Sequence, residues 1–200
     1  MKKISVLFAL LFLSFAYSQN KFDIASVNSF QEELNKEFAN AKTSPLLAAD
    51  LKDFESLDFF PVNEKYFVNA KFTRTPKEKA FKMKTSTDRT PIYVKYGEVD
   101  FLLNGRSYKL NVYRDIALSR KKEFKDYLFL PFSDLTSGAE SYIGGRYIDL
   151  KLPKGNTLDI DFNKAYNPYC AYSPEYSCPR VPLENDLDAE IKAGVKKFHD

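Results

Sequence analysis

Residues 4–15 form an almost unbroken apolar run, behind Met1-Lys2-Lys3 and ahead of Ala16-Tyr17-Ser18. The run is shorter than the roughly 20 residues needed to span a bilayer. Its charged start and alternating small residues predict an export signal over residues 1–18, cleaved between Ser18 and Gln19. No Cys follows the run, which argues against a lipoprotein anchor, and no later apolar run is long enough for a membrane span. The next pattern repeats at helical spacing. Phe30, Leu34 and Phe38 follow Ser29-Phe30-Gln31-Glu32, which reads as a capping box. This predicts a helix over about 29–41, ended before Pro45, with a second short helix in 46–54 and an apolar clip at Phe59-Phe60-Pro61.

From about residue 65 the alternation changes to a period of two, and strands are predicted at 66–75, 79–85, 92–103, 106–114, 127–132 and 187–191. Asn104-Gly105 is the preferred type I′ hairpin turn. The register it sets pairs Phe101 with Tyr108 and Val99 with Leu110 on one face, and Asp100 with Lys109 on the other. A second hairpin is predicted between 146–152 and 157–163. A three-residue loop, Lys154-Gly155-Asn156, would set Leu150 against Ile160 and Ile148 against Phe162. The same register puts Asp149 opposite Asp161, a repulsive pair that needs a nearby cation or a shared proton. Residues 119–125 read as a charged, solvated connection. Successive hairpins without βαβ alternation predict a mainly β fold: an antiparallel barrel or sandwich-like domain over 19–200, with an N-terminal helix and a β body over about 65–192.

Composition narrows the function classes. The 200 residues carry a net charge of +3, and losing Lys2 and Lys3 with the signal leaves +1. So small a charge excludes electrostatic capture of nucleic acid or anionic lipid. The expected location is the periplasm or the extracellular medium. The only His is His199, next to last, which argues against Ser-His-Asp and Cys-His catalysis and removes the usual zinc ligand. No metal site or cofactor motif is read. Cys170 and Cys178, the only cysteines, are expected to form a disulfide in an exported chain.

Two segments carry the candidate chemistry. Residues 131–147 hold three of the seven glycines among hydroxyls, carboxylates and an arginine. Such loops bring backbone donors and side chains to a ligand. They supply Asp134, Thr136, Ser137, Glu140, Tyr142 and Arg146. Residues 161–185 are rich in proline and tyrosine, and supply Asp161, Asn163, Tyr166, Asn167 and Tyr169. Neither segment contains a P-loop or a nucleophile elbow. Arg146 follows two glycines and shares a strand face with Ile148 and Leu150. It is therefore either a buried ion-pair member or a bidentate anchor for an anionic ligand.

The two segments also resemble a known family, the bacterial and haloarchaeal domain of unknown function 1684. The carrying stretches are Pro131-Phe132, Asp134-Leu135-Thr136-Ser137-Gly138, Gly144-Gly145-Arg146-Tyr147, Asp161-Phe162-Asn163, Tyr166-Asn167-Pro168-Tyr169-Cys170-Ala171-Tyr172, Cys178-Pro179 and Glu184-Asn185. The resemblance covers about residues 30–194 and departs at Ser141, Ile143 and Val195. It implies that these loops are the family's common feature and brings no activity with it. The leading functional expectation is a binding module for a small polar or anionic ligand, its pocket walled by loops 134–147 and 163–185. One alternative is a hydrolase or transferase using Asp134, Glu140 and Asp161. The other is a structural or interaction domain of the cell envelope.

Overall fold

The structure, a computed structural model, describes residues 21–199; the expected signal segment lies outside them. Helix α1 (Ile24–Ala39) and the short α2 (Ala48–Lys52) precede eight strands. These are β1 (Phe67–Arg74), β2 (Phe81–Lys82), β3 (Ile92–Leu103), β4 (Arg106–Asp115), β5 (Tyr127–Asp134), β6 (Arg146–Lys151), β7 (Thr157–Asp161) and β8 (Asp186–Leu187). They form one 8-stranded sheet with the main path β6-β5-β4-β3-β1-β7. The expected mainly β class is correct, and the architecture is an antiparallel sheet curled into a half-barrel. The short β8 adds to β5 in parallel.

Helix α1 begins earlier than the sequence pattern indicates. Asp23 caps it by accepting from the backbone N–H of Ala25 at 3.0 Å. The Ser29 box therefore falls inside the helix. Val27 joins Phe38 as a buried residue of α1, while Phe30 and Leu34 are only half-buried. Phe38 packs with Leu46, Leu57, Tyr172 and Val195, so the helix is held by the C-terminal segment.

Strands β3 and β4 pair in the expected register, with Val99 opposite Leu110, Asp100 opposite Lys109 and Phe101 opposite Tyr108. Asn104 (φ 51°) and Gly105 (φ 77°) both take the left-handed conformation that a type I′ turn requires.

The second expected hairpin does not form. β6 pairs with β5, placing Ile148 opposite Leu130 and Leu150 opposite Leu128. β7 pairs with β1, placing Ile160 opposite Val68 and Leu158 opposite Ala70. Ile148, Leu150, Leu158 and Ile160 keep their inward direction, because either pairing satisfies the same alternation. What decides is the apolar row that β5 and β1 offer. Residues 152–156 then join the two edges of the half-barrel. Asp149 lies opposite Phe129, and Asp161 opposite Phe67, so the expected carboxylate pair is absent.

Three smaller differences have local causes. The strand expected at 79–85 shrinks to β2, because the following residues bond to the cysteine loop through Arg180 N–H to Lys84 C=O (2.8 Å) and Ser86 N–H to Cys178 C=O (2.8 Å). Residues 119–125 carry two short 3-10 turns, Leu118–Arg120 and Lys122–Phe124. The strand expected at 187–191 is the two-residue β8.

The sheet is covered on both faces. Inside lie Val99, Phe101, Leu110, Val112, Leu128, Leu130, Phe132, Ile148, Ile160 and Phe162. Outside, Tyr93, Tyr113, Phe129 and Tyr147 pack with Met83. No helix among the described residues is long and apolar enough to cross a membrane.

Candidate functional site

Loop 134–145 is organised around a buried charge pair. Arg146 opens β6 and is 1% exposed; Asp134 closes β5 and is 5% exposed. Arg146 Nη2 donates to Asp134 Oδ2 at 2.8 Å and to the Ile191 carbonyl at 2.8 Å, and Nη1 donates to the Ala193 carbonyl. Asp134 also accepts from Ile191 N–H (3.1 Å), Thr136 N–H (2.9 Å) and Thr136 Oγ1 (2.6 Å). Thr136 in turn meets Ser141 Oγ at 2.8 Å, and Ser137 Oγ accepts from Asp134 N–H at 3.1 Å. Burial pushes the Arg146 pKa down, and the Asp134 charge opposes that shift. Of the two roles foreseen for Arg146, the structure builds the ion pair. Asp134, Thr136, Ser137 and Arg146 clamp the C-terminal segment to the end of the sheet.

Gly145 makes the clamp possible. Its φ is +82°, and a Cβ there would lie 2.6 Å from the Phe132 carbonyl oxygen and 2.6 Å from Val181. Only glycine lets the chain enter β6 at this angle.

The other sequence candidates are dispersed. Glu140 is exposed and pairs with Lys192 at 2.8 Å. Asp161 caps the 3-10 turn Phe162–Lys164 by accepting from Asn163 N–H at 3.1 Å, and burial raises its pKa. Asn163 is buried and binds the backbone of Asn63 through both its oxygen (2.9 Å) and its nitrogen (3.0 Å). Asn167 is buried and donates to the Lys196 carbonyl at 2.8 Å. The carboxylates Asp134, Glu140 and Asp161 therefore hold three separate structural posts and do not converge.

Two adjoining recesses share Tyr147, Pro168 and Cys178 in their linings. The first has a volume of about 450 Å³ and is walled by both candidate loops: Tyr142 and Gly144 from one, Cys170, Cys178 and Arg180 from the other. Arg180 Nε donates to the Thr85 carbonyl at 2.9 Å, and Arg180 makes no ion pair among the described residues.

Cys170 and Cys178 face this recess as free thiols, so the expected disulfide is corrected. They lie 3.3 Å apart, against about 2.05 Å for a covalent S–S bond. Cys170 N–H donates to Cys178 Sγ at 3.2 Å, and Tyr142 Oη stands 3.9 Å from Cys170 Sγ. The Cys178 thiol donates to Cys170 and lowers the Cys170 pKa to about 6, while that same bond and burial raise Cys178. Burial raises the Tyr142 hydroxyl to about 12.

The second recess, about 380 Å³, lies between α1 and the outer face of β6. Phe30, Leu34 and Glu37 come from successive turns of α1, Tyr147 and Asp149 from β6, and Tyr166 and Tyr169 from the loop that follows β7. Tyr166 and Tyr127 hydroxyls both donate to Asp149 Oδ1, at 2.6 Å and 2.8 Å. The Tyr169 hydroxyl donates to Glu37, and the Tyr147 hydroxyl to the Pro179 carbonyl. Surrounding protein raises the Asp149 pKa above the ordinary carboxylate value, and the two tyrosine bonds offset part of the shift.

Sequence reading found Tyr142, Tyr166 and Tyr169 as recess residues and missed Glu37, Tyr147 and Arg180, as well as Tyr127, which donates to Asp149. Asp149 drew notice only through a pairing that does not occur. Among the described residues, no group of three or more His, Cys, Asp or Glu side chains is arranged to hold a metal ion.

A curled half-barrel with one recess walled by the two candidate loops and an adjoining one between α1 and β6 is the class of domain that fold and site define. The chain belongs to the family described as protein of unknown function (DUF1684), whose model matches residues 52–196. That span includes the whole sheet and both candidate loops, and leaves α1 outside. The chain is also similar to an uncharacterized protein from gene locus rrnAC0354 of Haloarcula marismortui, solved by solution NMR. The two are 34% identical, the match covers 86% of this chain and 92% of that one, and the TM-score is 0.67. No curated protein matches the chain.

Proposed function

We propose that this protein is an exported binding module for a small polar, anionic ligand, held in the 450 Å³ recess between loops 134–147 and 163–185. The observation that carries this reading is Arg180. Its Nε is fixed by the Thr85 carbonyl, and it lines a recess walled by both loops without an ion-pair partner among the described residues. A guanidinium oriented in this way presents the planar edge suited to a carboxylate or phosphate. Arg180 therefore takes the anchoring role first considered for Arg146. Tyr142 and Ser86 add hydroxyls beside it. Export follows from the pattern of residues 1–18, and a mature N-terminus at Gln19 is its signature in mass analysis of secreted protein.

The test is a 1H–15N NMR titration with inorganic phosphate and with acetate. Saturable shifts are expected at residues 142–144 and 178–181, weakened at least tenfold in Arg180→Ala and only partly restored in Arg180→Lys. Titrations that leave these amides unmoved, or equal affinity in Arg180→Ala, overturn the reading.

A further inference from the structure

The adjoining recess has the opposite chemistry. Its two charged groups are carboxylates, Asp149 and Glu37, and no lysine or arginine lines it. Lys21, Lys151 and Lys164 line the neighbouring groove between the β6 and β7 edges, which Asp149 also borders, and Lys164 donates to Ser26 Oγ at 2.6 Å. Neither Asp149 nor Glu37 forms an ion pair among the described residues. Both tyrosine bonds to Asp149 fall on one oxygen, Oδ1, and Oδ2 accepts nothing from the described residues. Asp149 is exposed and Glu37 half-buried, so both carboxylates are open to a positively charged group that enters the recess.

The walls supply the second half of the argument. Tyr147 and Tyr166 meet edge to face, with centroids 5.9 Å apart and planes at 88°, and Tyr169 and Phe30 also line the recess. A recess lined by four aromatic rings and two carboxylates suits an organic cation, which aromatic rings and carboxylates both attract. Burial and the nearby Asp149 hold the Tyr166 hydroxyl well above its ordinary pKa, so it remains a neutral donor. We propose that this recess binds a ligand bearing an alkylammonium or quaternary ammonium group. Asp149 Oδ2 faces the positive charge, the aromatic side chains of Phe30, Tyr147, Tyr166 and Tyr169 pack on its alkyl groups, and Glu37 adds charge from α1. This inference stands on Asp149 and the aromatic wall, and does not depend on Arg180.

The probe is tetramethylammonium chloride, followed by 1H–15N NMR at fixed ionic strength against sodium chloride. Saturable shifts are expected in residues 30–37, 147–149 and 166–169, with residues 180–181 unmoved. Asp149→Asn keeps an oxygen for both tyrosines and removes the charge, so binding should weaken at least about tenfold, the factor that 1.4 kcal/mol represents. Glu37→Gln, on a half-buried helix position, should weaken it a few-fold and provides a second reading if Asp149→Asn fails to fold. No saturable shift with tetramethylammonium, the same shifts with sodium chloride, or unchanged affinity in the folded variants overturns the proposal. A phosphate titration of the same samples reports on the Arg180 recess separately.

Discussion

Asp134 and Arg146 meet at 2.8 Å with their side chains 0% and 1% exposed, across a loop whose ends are twelve positions apart. The same guanidinium also reaches the carbonyls of Ile191 and Ala193, so one side chain ties β5, β6 and the C-terminal segment together. Removing one member of a buried pair leaves the other charged and unsatisfied. Arg146→Ala should therefore cost about 3–5 kcal/mol in urea unfolding. Arg146→Lys keeps the charge and loses the planar fork, so it should fall between wild type and Arg146→Ala. An unchanged unfolding midpoint in Arg146→Ala would show that the pair does not hold the fold.

Gly145 offers a backbone test of the same junction. Gly145→Ala puts a Cβ against the Phe132 carbonyl in a left-handed conformation and should destabilise by about 1–3 kcal/mol. Gly155, with nothing within 4 Å of a built Cβ, serves as the control, and Gly155→Ala should be close to neutral. Equal stability of the two variants in thermal melts would rule out the steric account.

Asp149 predicts a pH dependence with a defined sign. Its folded pKa is raised, mainly by the protein around it, so the native state binds this proton more tightly than the unfolded chain does. The contribution of Asp149 to stability is greatest below the ordinary carboxylate range and falls as pH rises through the folded value. Asp149→Asn removes that fall and keeps an acceptor for Tyr127 and Tyr166. The stability of the variant relative to wild type should therefore increase from about pH 3 to about pH 7, around the ordinary Asp value. A difference that shrinks over that range in parallel melts would contradict the assignment.

The parts legible in the sequence are those fixed by neighbours along the chain. The β3–β4 register follows from a two-residue turn and an adjacent apolar row, and both are local. The inward direction of Ile148, Leu150, Leu158 and Ile160 follows from alternation alone, and it survived even though their partners were misassigned. The partners themselves were not legible, because β5–β6 and β1–β7 pairing depends on closing the sheet over long stretches of chain. The recesses were half legible for the same reason. The loops that wall the first were visible as glycine- and proline-rich segments. The second exists only because α1 lies across β6, which brings Glu37 beside Tyr169 from 132 positions away. Arg146 and Arg180 carry no local mark that tells a buried ion-pair member from a recess-lining donor.

Cys170 carries the last prediction. Its sulfur accepts from Cys178, while its own N–H donates to the Cys178 sulfur at 3.2 Å. Each sulfur thus fixes the other, with the negative charge favoured on Cys170. Cys170 lines the recess at an intermediate exposure, whereas Cys178 is buried. The thiolate is the nucleophile, so alkylation should rise with pH through about 6 at Cys170 and should not reach Cys178 until the protein is unfolded. Peptide mapping after iodoacetamide pulses across a pH series reads both sites. Cys178→Ala removes the donor and should move the Cys170 midpoint up towards the ordinary thiol value of about 8.5. Cys178→Ser restores a hydroxyl donor and should recover part of the depression. A wild-type midpoint already near the ordinary value, or one that Cys178→Ala leaves in place, would mean that Cys178 does not set the charge on Cys170.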